Sequence, residues 1–257
     1  IKTREDLAES EVYEVKELPG FGRSMAETVI DSAAATVDGK VQRHGDEGFP
    51  LADPIFIDIE TDGLNPTMVW LIGVLDRQGE ETYMSFLARD PKERGKAVEA
   101  FLSWLTANAP NRPLVAYNGI NFDFPVLEEH IERHCPEYLE DWQDAFTFDP
   151  WYWATREDQA TLPGRTNKLE DVARALDWEG DDTGLSGGAV GRLFQRWMAN
   201  PCDETELDWE RHEAYCEDDV RALAHVYDAI DDASRTAGGG GGDASSTTTS
   251  QGTLGDF

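Results

Sequence analysis

The alternation of apolar and polar positions is sharpest in residues 54–75, PIFIDIETDGLNPTMVWLIGVL. Ile55, Phe56 and Ile57 open an apolar run that Asp58 and Glu60 interrupt; the chain breaks at Asp62 and Gly63, and apolar residues resume from Val69 to Leu75. This pattern predicts a buried β-hairpin with two acids inside it. Strand side chains alternate between faces, so Asp58 and Glu60 project to one side while Ile57 and Ile59 fill the other. Residues 81–87, ETYMSFL, alternate like a third antiparallel strand, and 91–107 predict a helix with Val98, Phe101, Leu102 and Leu105 inward. A short buried strand at 114–117 is turned by Asn118 and Gly119. It feeds a helix that carries Phe124, Val126, Leu127 and Ile131, with Asp123 near its start. Helical periodicity returns at 167–176, 189–198 and 207–230. The glycine-rich stretch 183–188 lacks Gly-Lys-Ser/Thr and follows no strand, which excludes a phosphate loop for a nucleotide.

The ends of the chain read differently. Residues 3–35 predict short helices around a turn at Leu18-Pro19-Gly20-Phe21-Gly22, followed by the helical spacing Met25, Ala26, Val29, Ile30 and Ala33. The run L-P-G-F-G-x-x-x-A resembles a helix-hairpin-helix element, in which Gly20 and Gly22 would bring backbone N–H groups close to a DNA phosphate. A plain structural turn would also show Pro-Gly. Residues 38–50 are polar and glycine-rich, as expected of a linker, and from about Ala237 the chain becomes a Gly, Ser and Thr tract with no capacity to bury a core. The expected organisation is therefore a hairpin-like helical element at 1–37, a linker at 38–50, a main domain at 51–234 and a flexible tail at 235–257.

Acidic residues number 52 against 22 Lys and Arg, a formal charge of -30. With 40% hydrophobic residues and eight tryptophans, disorder does not explain that charge for most of the chain. The scarcity of lysine resembles proteins of salt-in halophiles, in which molar salt shortens the Debye length to roughly 3 Å and mutes self-repulsion. Such a chain has no basic patch for nucleic acid, so any binding of that kind needs another source of positive charge. The three cysteines lack metal-site spacing and fit a reducing cytoplasm better than a disulfide scaffold. There is no secretory signal and no apolar run long enough to span a bilayer, so a cytoplasmic location is expected.

Asp58 and Glu60 share one patch of sheet, which is unfavourable in an apolar strand unless a hard divalent cation compensates. Asp123 sits at a strand-to-helix junction, from which a carboxylate can be aimed back at the sheet or can simply cap the helix. On the last helix, Tyr215 and Asp219 lie four residues apart and share a face. Glu217 and Asp218 fall on other faces and are expected in solvent, as is His212. The aromatic segment FTFDPWYW around Asp149 reads as core first and as a base-stacking groove second.

Taken together, FIDIETDGL, VAYNGINFD and YCEDD, spanning residues 55–220, resemble the DEDD exonuclease group of the RNase H-like superfamily. Within that group the chain looks most like the predicted-nuclease branch with the motifs D-I-E-T-x-G-L, Y-N-G-x-x-F-D and Y-x-x-x-D. A histidine-type member would carry His five residues before Asp219, where this chain has Ala214; Tyr215 instead fits the tyrosine type, DEDDy. The resemblance implies an α/β fold with a mixed central sheet flanked by helices. It implies two Mg2+ or Mn2+ ions held by Asp58, Glu60, Asp123 and Asp219, with Tyr215 orienting the attacking water. Asn118 would contact the terminal nucleotide, and Thr61, Gly63, Leu64 and Asp149 are further substrate-binding candidates. The implied activity is 3′-5′ exonucleolytic hydrolysis of DNA; the rivals are the same chemistry on RNA and an idle, DNA-binding adaptor.

The chain closes on Gln251-x-x-Leu254-x-x-Phe257, which resembles the peptide by which replication and repair proteins dock on the sliding clamp. Tethering to a ring on DNA would raise the local substrate concentration without a basic surface.

Overall fold

The computed structural model describes residues 1–233, so the tail reading at Gln251, Leu254 and Phe257 lies outside the described residues. In chain order the elements are α1 (Arg4–Ala8), α2 (Val12–Lys16), α3 (Arg23–Asp38), β1 (Gln42–Arg43), β2 (Ile55–Thr61), β3 (Val69–Asp76) and β4 (Thr82–Leu87). They continue with α4 (Lys96–Asn108), β5 (Leu114–Val115), α5 (Asp123–His134), α6 (Leu139–Gln143), β6 (Thr147–Phe148) and α7 (Pro150–Thr155). The last are β7 (Ala160–Thr161), α8 (Leu169–Ala175), α9 (Gly187–Ala199) and α10 (Trp209–Asp232).

The main sheet has the order β4-β3-β2-β5-β6. The predicted hairpin is its centre: β2 pairs antiparallel with β3, β3 antiparallel with β4, while β2-β5 and β5-β6 are parallel. Period-two alternation along β2 separates two layers. Ile55, Ile57 and Ile59 pack with Phe101 of α4 and with Leu127 and Ile131 of α5. Phe56 packs the other way, with Val220, Leu223 and Tyr227 of α10. Asp58 and Glu60, in phase with Phe56, therefore look toward α10. A third cluster seats α9 on the hairpin, where Trp70 of β3 stacks on Phe194 with ring centroids 4.6 Å apart and planes 6° from parallel.

Opposite Asp58 in the register is Gly73. A Cβ there would stand 2.5 Å from Cys216 Sγ, so glycine lets α10 lie close against the sheet and brings Asp219 over β2.

The amino-terminal helices α1 and α2 pack on α3, which joins the rest through Thr36, whose hydroxyl donates to Gly164 O at 3.1 Å. Ala26, Ala33 and Ala35 are the buried positions of α3, whereas Met25 is exposed. The polar stretch 38–50 does not stand apart. β1 pairs with β7, Phe49 is buried against Phe148, Trp153 and Tyr227, and Arg43 lies over the Phe49 ring at 4.9 Å. Among the described residues no helix is long and apolar enough to cross a membrane.

Candidate active site

A cleft of about 490 Å³ opens between the end of β2, the start of α5, α9 and α10. Asp58 and Glu60 reach it from β2, Asp219 from α10, and one carboxylate oxygen of each lies within 4.8 Å of the others. Asp123, the first residue of α5 and 6% exposed, lines the same cleft, as does Tyr215, one helical turn before Asp219. The four acids and the phenol that sequence spacing singles out thus share one cavity.

Their electrostatics follow from that crowding. Burial, then the charges of Glu60, Asp219 and Asp123, push Asp58 well above the usual carboxylate range. Burial, then Asp219 and Asp123, do the same to Glu60. Burial raises Asp123 and Asp219 to about 7, the latter although Tyr215 hydrogen-bonds to its charged form. Tyr215 is itself pushed up, by burial first and then by the Asp219 carboxylate, and stays a neutral donor. Glu60 is 7% exposed and its carboxylate has no hydrogen-bond partner among the described residues. Buried acids that repel one another, with few donors and no cation paired to them among the described residues, fit an all-oxygen site for hard divalent cations, whose charge would invert the pKa pattern.

The supporting residues act mostly through backbone groups. Asn118, at φ 60°, and Thr61, Gly63 and Leu64 line the cleft, and Leu64 is 88% exposed at its rim. Asp149 stands behind this wall, 2% exposed. It accepts hydrogen bonds from the N–H groups of Asn118 (3.0 Å), Ile120 (3.2 Å) and Tyr152 (3.1 Å), fixing the 117–122 loop while capping α7. Gly20 and Gly22 do not line the cleft; they sit in the turn before α3 with nothing within 4 Å of a Cβ at either position.

Several residues behave otherwise than the sequence suggests. His212 is 2% exposed, with its ring 5.7 Å from Trp70 and Nδ1 2.7 Å from Asp208 O, because α10 begins under the hairpin rather than at the surface. Asp218 is half-buried and accepts from Trp178 Nε1 (3.3 Å) and Asp181 N (3.2 Å), while Glu217 pairs with Arg221. Four contributors had no sequence signal. Asp62 accepts from Thr67 N and Oγ1, both at 2.7 Å, and from Met68 N at 3.0 Å, stapling the loop that carries Leu64. Cys216 lies with Sγ 3.6 Å from Asp58 Oδ2. Arg192 and Gln195 line the cleft from α9.

The mixed sheet thus carries clustered acids at its centre with a helix laid across them. The family model described as RNase_H superfamily matches residues 55–231, and the chain belongs to that superfamily. No curated protein matches it. Among solved structures it is similar to a product-bound exonuclease I, at 17% identity and a TM-score of 0.37 over 58% of this chain and 44% of that one. A zinc-bound E. coli exonuclease I–ssDNA complex gives 16% and 0.38 over 59% and 41%, and E. coli exonuclease I with a dT13 oligonucleotide gives 17% and 0.37 over 57% and 41%. The chain spans less than half the length of each of these proteins.

Proposed function

We propose that the protein is a metal-dependent 3′-5′ exonuclease of the tyrosine type that acts on single-stranded or 3′-ended DNA. The observation that carries this reading is the meeting of Asp58, Glu60 and Asp219 within 4.8 Å in a cleft also lined by Asp123 and Tyr215. Asp58, Glu60, Asp123 and Asp219 would hold two Mg2+ or Mn2+ ions. When bound, such a pair supplies Lewis acidity and the positive charge a phosphodiester needs on entering so acidic a cleft. The chain does the rest. Tyr215 keeps its proton, because its pKa is raised, and with that O–H on Asp219 its hydroxyl oxygen would accept from the attacking water and orient it. Asn118, held by Asp149, offers a side-chain amide to the terminal nucleotide. Leu64 presents an apolar surface at the rim for a base to pack on.

Degradation of 3′-labelled DNA and RNA oligonucleotides, in high salt with Mn2+, tests the reading and its sugar preference. Asp58→Ala is expected to abolish cleavage, and a variant that still cuts would remove the carboxylate cluster from the chemistry. Attachment to a sliding clamp through Gln251, Leu254 and Phe257 belongs to the same proposal. Deleting residues 251–257 should lose clamp binding and leave hydrolysis of free oligonucleotides unchanged.

A further inference from the structure

Helix α9 presents Gly187, Gly188, Gly191, Arg192 and Gln195 to the cleft, one stripe at helical spacing opposite the acids. Gln195 is already engaged, its amide donating to Asp62 O. Arg192 is exposed, has no hydrogen bond or ion pair among the described residues, and is the one cation among the described residues that line the cleft. In a chain with 52 acids and 22 cations, what sets this guanidinium apart is its place in the same cleft as the carboxylate cluster.

The glycines need one too. None of the three has a positive φ. A Cβ at Gly187 would meet only the Tyr215 hydroxyl, at 3.7 Å, and one at Gly188 only Nη1 at the far end of the Arg192 side chain, at 3.3 Å. At Gly191 the nearest atoms, the Gly63 backbone and Thr61 O, lie at an ordinary 3.5 Å. Neither backbone conformation nor packing within the protein calls for glycine, which weakens a helix relative to alanine. What a bare helix face does allow is close approach by another backbone. The same cleft holds the buried, unpartnered Glu60, so a ligand is expected there on independent grounds.

We propose that α9 is the wall along which a single-stranded nucleic acid is led to the acids, with its sugar–phosphate chain against Gly187 and Gly188 and one phosphate held by Arg192. Arg192 is a substrate-holding residue and takes no part in bond breaking. Its fork of N–H donors matches phosphate oxygens, and it supplies at close range the positive charge that the surface lacks. This rests on the nuclease reading of the cleft, from which it can be separated experimentally.

The test is binding of short fluorescein-labelled single-stranded DNA and RNA to the full chain, by anisotropy, with Ca2+ in place of Mg2+ and over a KCl series. Arg192→Ala is expected to raise Kd about tenfold for both sugars and to flatten the slope of log Kd against log salt by roughly 0.7, one phosphate contact on a single strand. Arg192→Lys should restore the salt slope but only part of the affinity, since an ammonium keeps the charge and loses the fork. Gly188→Leu should raise Kd about tenfold with the salt slope unchanged and the thermal transition no lower, because a side chain there blocks strand approach without disturbing the helix. With Mn2+ restored, Arg192→Ala and Gly188→Leu should each raise KM more than they lower kcat. If the parent binds strands and Arg192→Ala binds them equally with the same slope, the proposal is overturned; equal binding by Gly188→Leu overturns it as well. A parent that binds in this Arg192-dependent way yet cuts nothing in Mn2+ supports the wall and removes the hydrolytic reading. A parent that neither binds nor cuts removes both.

Discussion

Each carboxylate in the cleft is held at a cost that shows in how it titrates. Without metal, Asp123 and Asp219 keep their protons up to about pH 7, against the ordinary 3.8, so the folded chain binds more protons than the unfolded chain between these values. The stability this confers is present below about pH 4 and is lost as pH rises through 7. In chelator and molar KCl, Tm should therefore fall by at least about 4 °C from about pH 5 to about pH 8, near 1 kcal/mol or more for a domain of this size. Added Mn2+ should restore it, most strongly at the alkaline end. Asp58→Asn removes one of the mutually repelling charges and should shrink both the fall and the Mn2+ effect; a Tm that ignores pH and metal would mean that the carboxylates do not sense one another. At this scale the sequence was readable where periodicity decides direction: the i, i+2 spacing of Asp58 and Glu60 and the i, i+4 spacing of Tyr215 and Asp219 put them on shared faces. It was opaque for Asp62, and for Asp149 it gave a candidate but not the role of holding the 117–122 loop, since one acid among 52 carries little signal and the donors at Asn118 and Ile120 lie some thirty residues away in sequence. Asp149→Ala would strand three N–H groups and should cost about 2–4 kcal/mol in urea unfolding, with kcat falling as Asn118 loosens.

Between elements, the decisive packing is α10 on the β2-β3 hairpin. The hairpin was legible from its apolar runs, and α10 from its helical period, but nothing local predicts that Gly73 and Cys216 meet. That contact sets the height of α10 over the sheet and therefore the distance of Asp219 from Asp58 and Glu60. Gly73→Val would drive a side chain into Cys216 Sγ, which stands 2.5 Å from a Cβ at that position. Overpacking of this kind destabilises by about 1–3 kcal/mol. The sharper expectation is a loss of Mn2+ affinity by about tenfold or more, because the helix must lift, and Asp219 with it. Calorimetric titration of folded Gly73→Val with Mn2+ gives the answer, and parental affinity would show that the acids adjust independently of helix height. The two-residue strands β1 and β7 were not legible at all. A pairing so short has no periodicity to read, and the polar composition of 38–50 masked the inward turns of Arg43 and Phe49.

For the whole molecule, the formal charge of -30 sets the conditions under which any of this operates. Its described ion pairs are mostly exposed, as at Arg23–Glu27 and Lys96–Glu93, and pairs of that kind contribute little, about 0–1 kcal/mol each. Self-repulsion is therefore left to the solvent to screen. Raising KCl from about 0.1 M to about 2 M, where the Debye length drops from about 10 Å to below about 3 Å, should raise Tm by at least about 4 °C. Screening by monovalent salt acts on the whole surface, whereas a divalent ion in the cleft acts on the clustered carboxylates. The two can be told apart in Asp58→Asn: the KCl response should persist almost unchanged, since one charge in so many is removed, while the response to millimolar Mn2+ in molar KCl should largely disappear. A variant that loses both responses equally would place the repulsion in the cleft rather than over the surface. One that keeps both would mean that divalent ions stabilise the protein elsewhere, and the acids at the centre of the sheet would then have no claim to them.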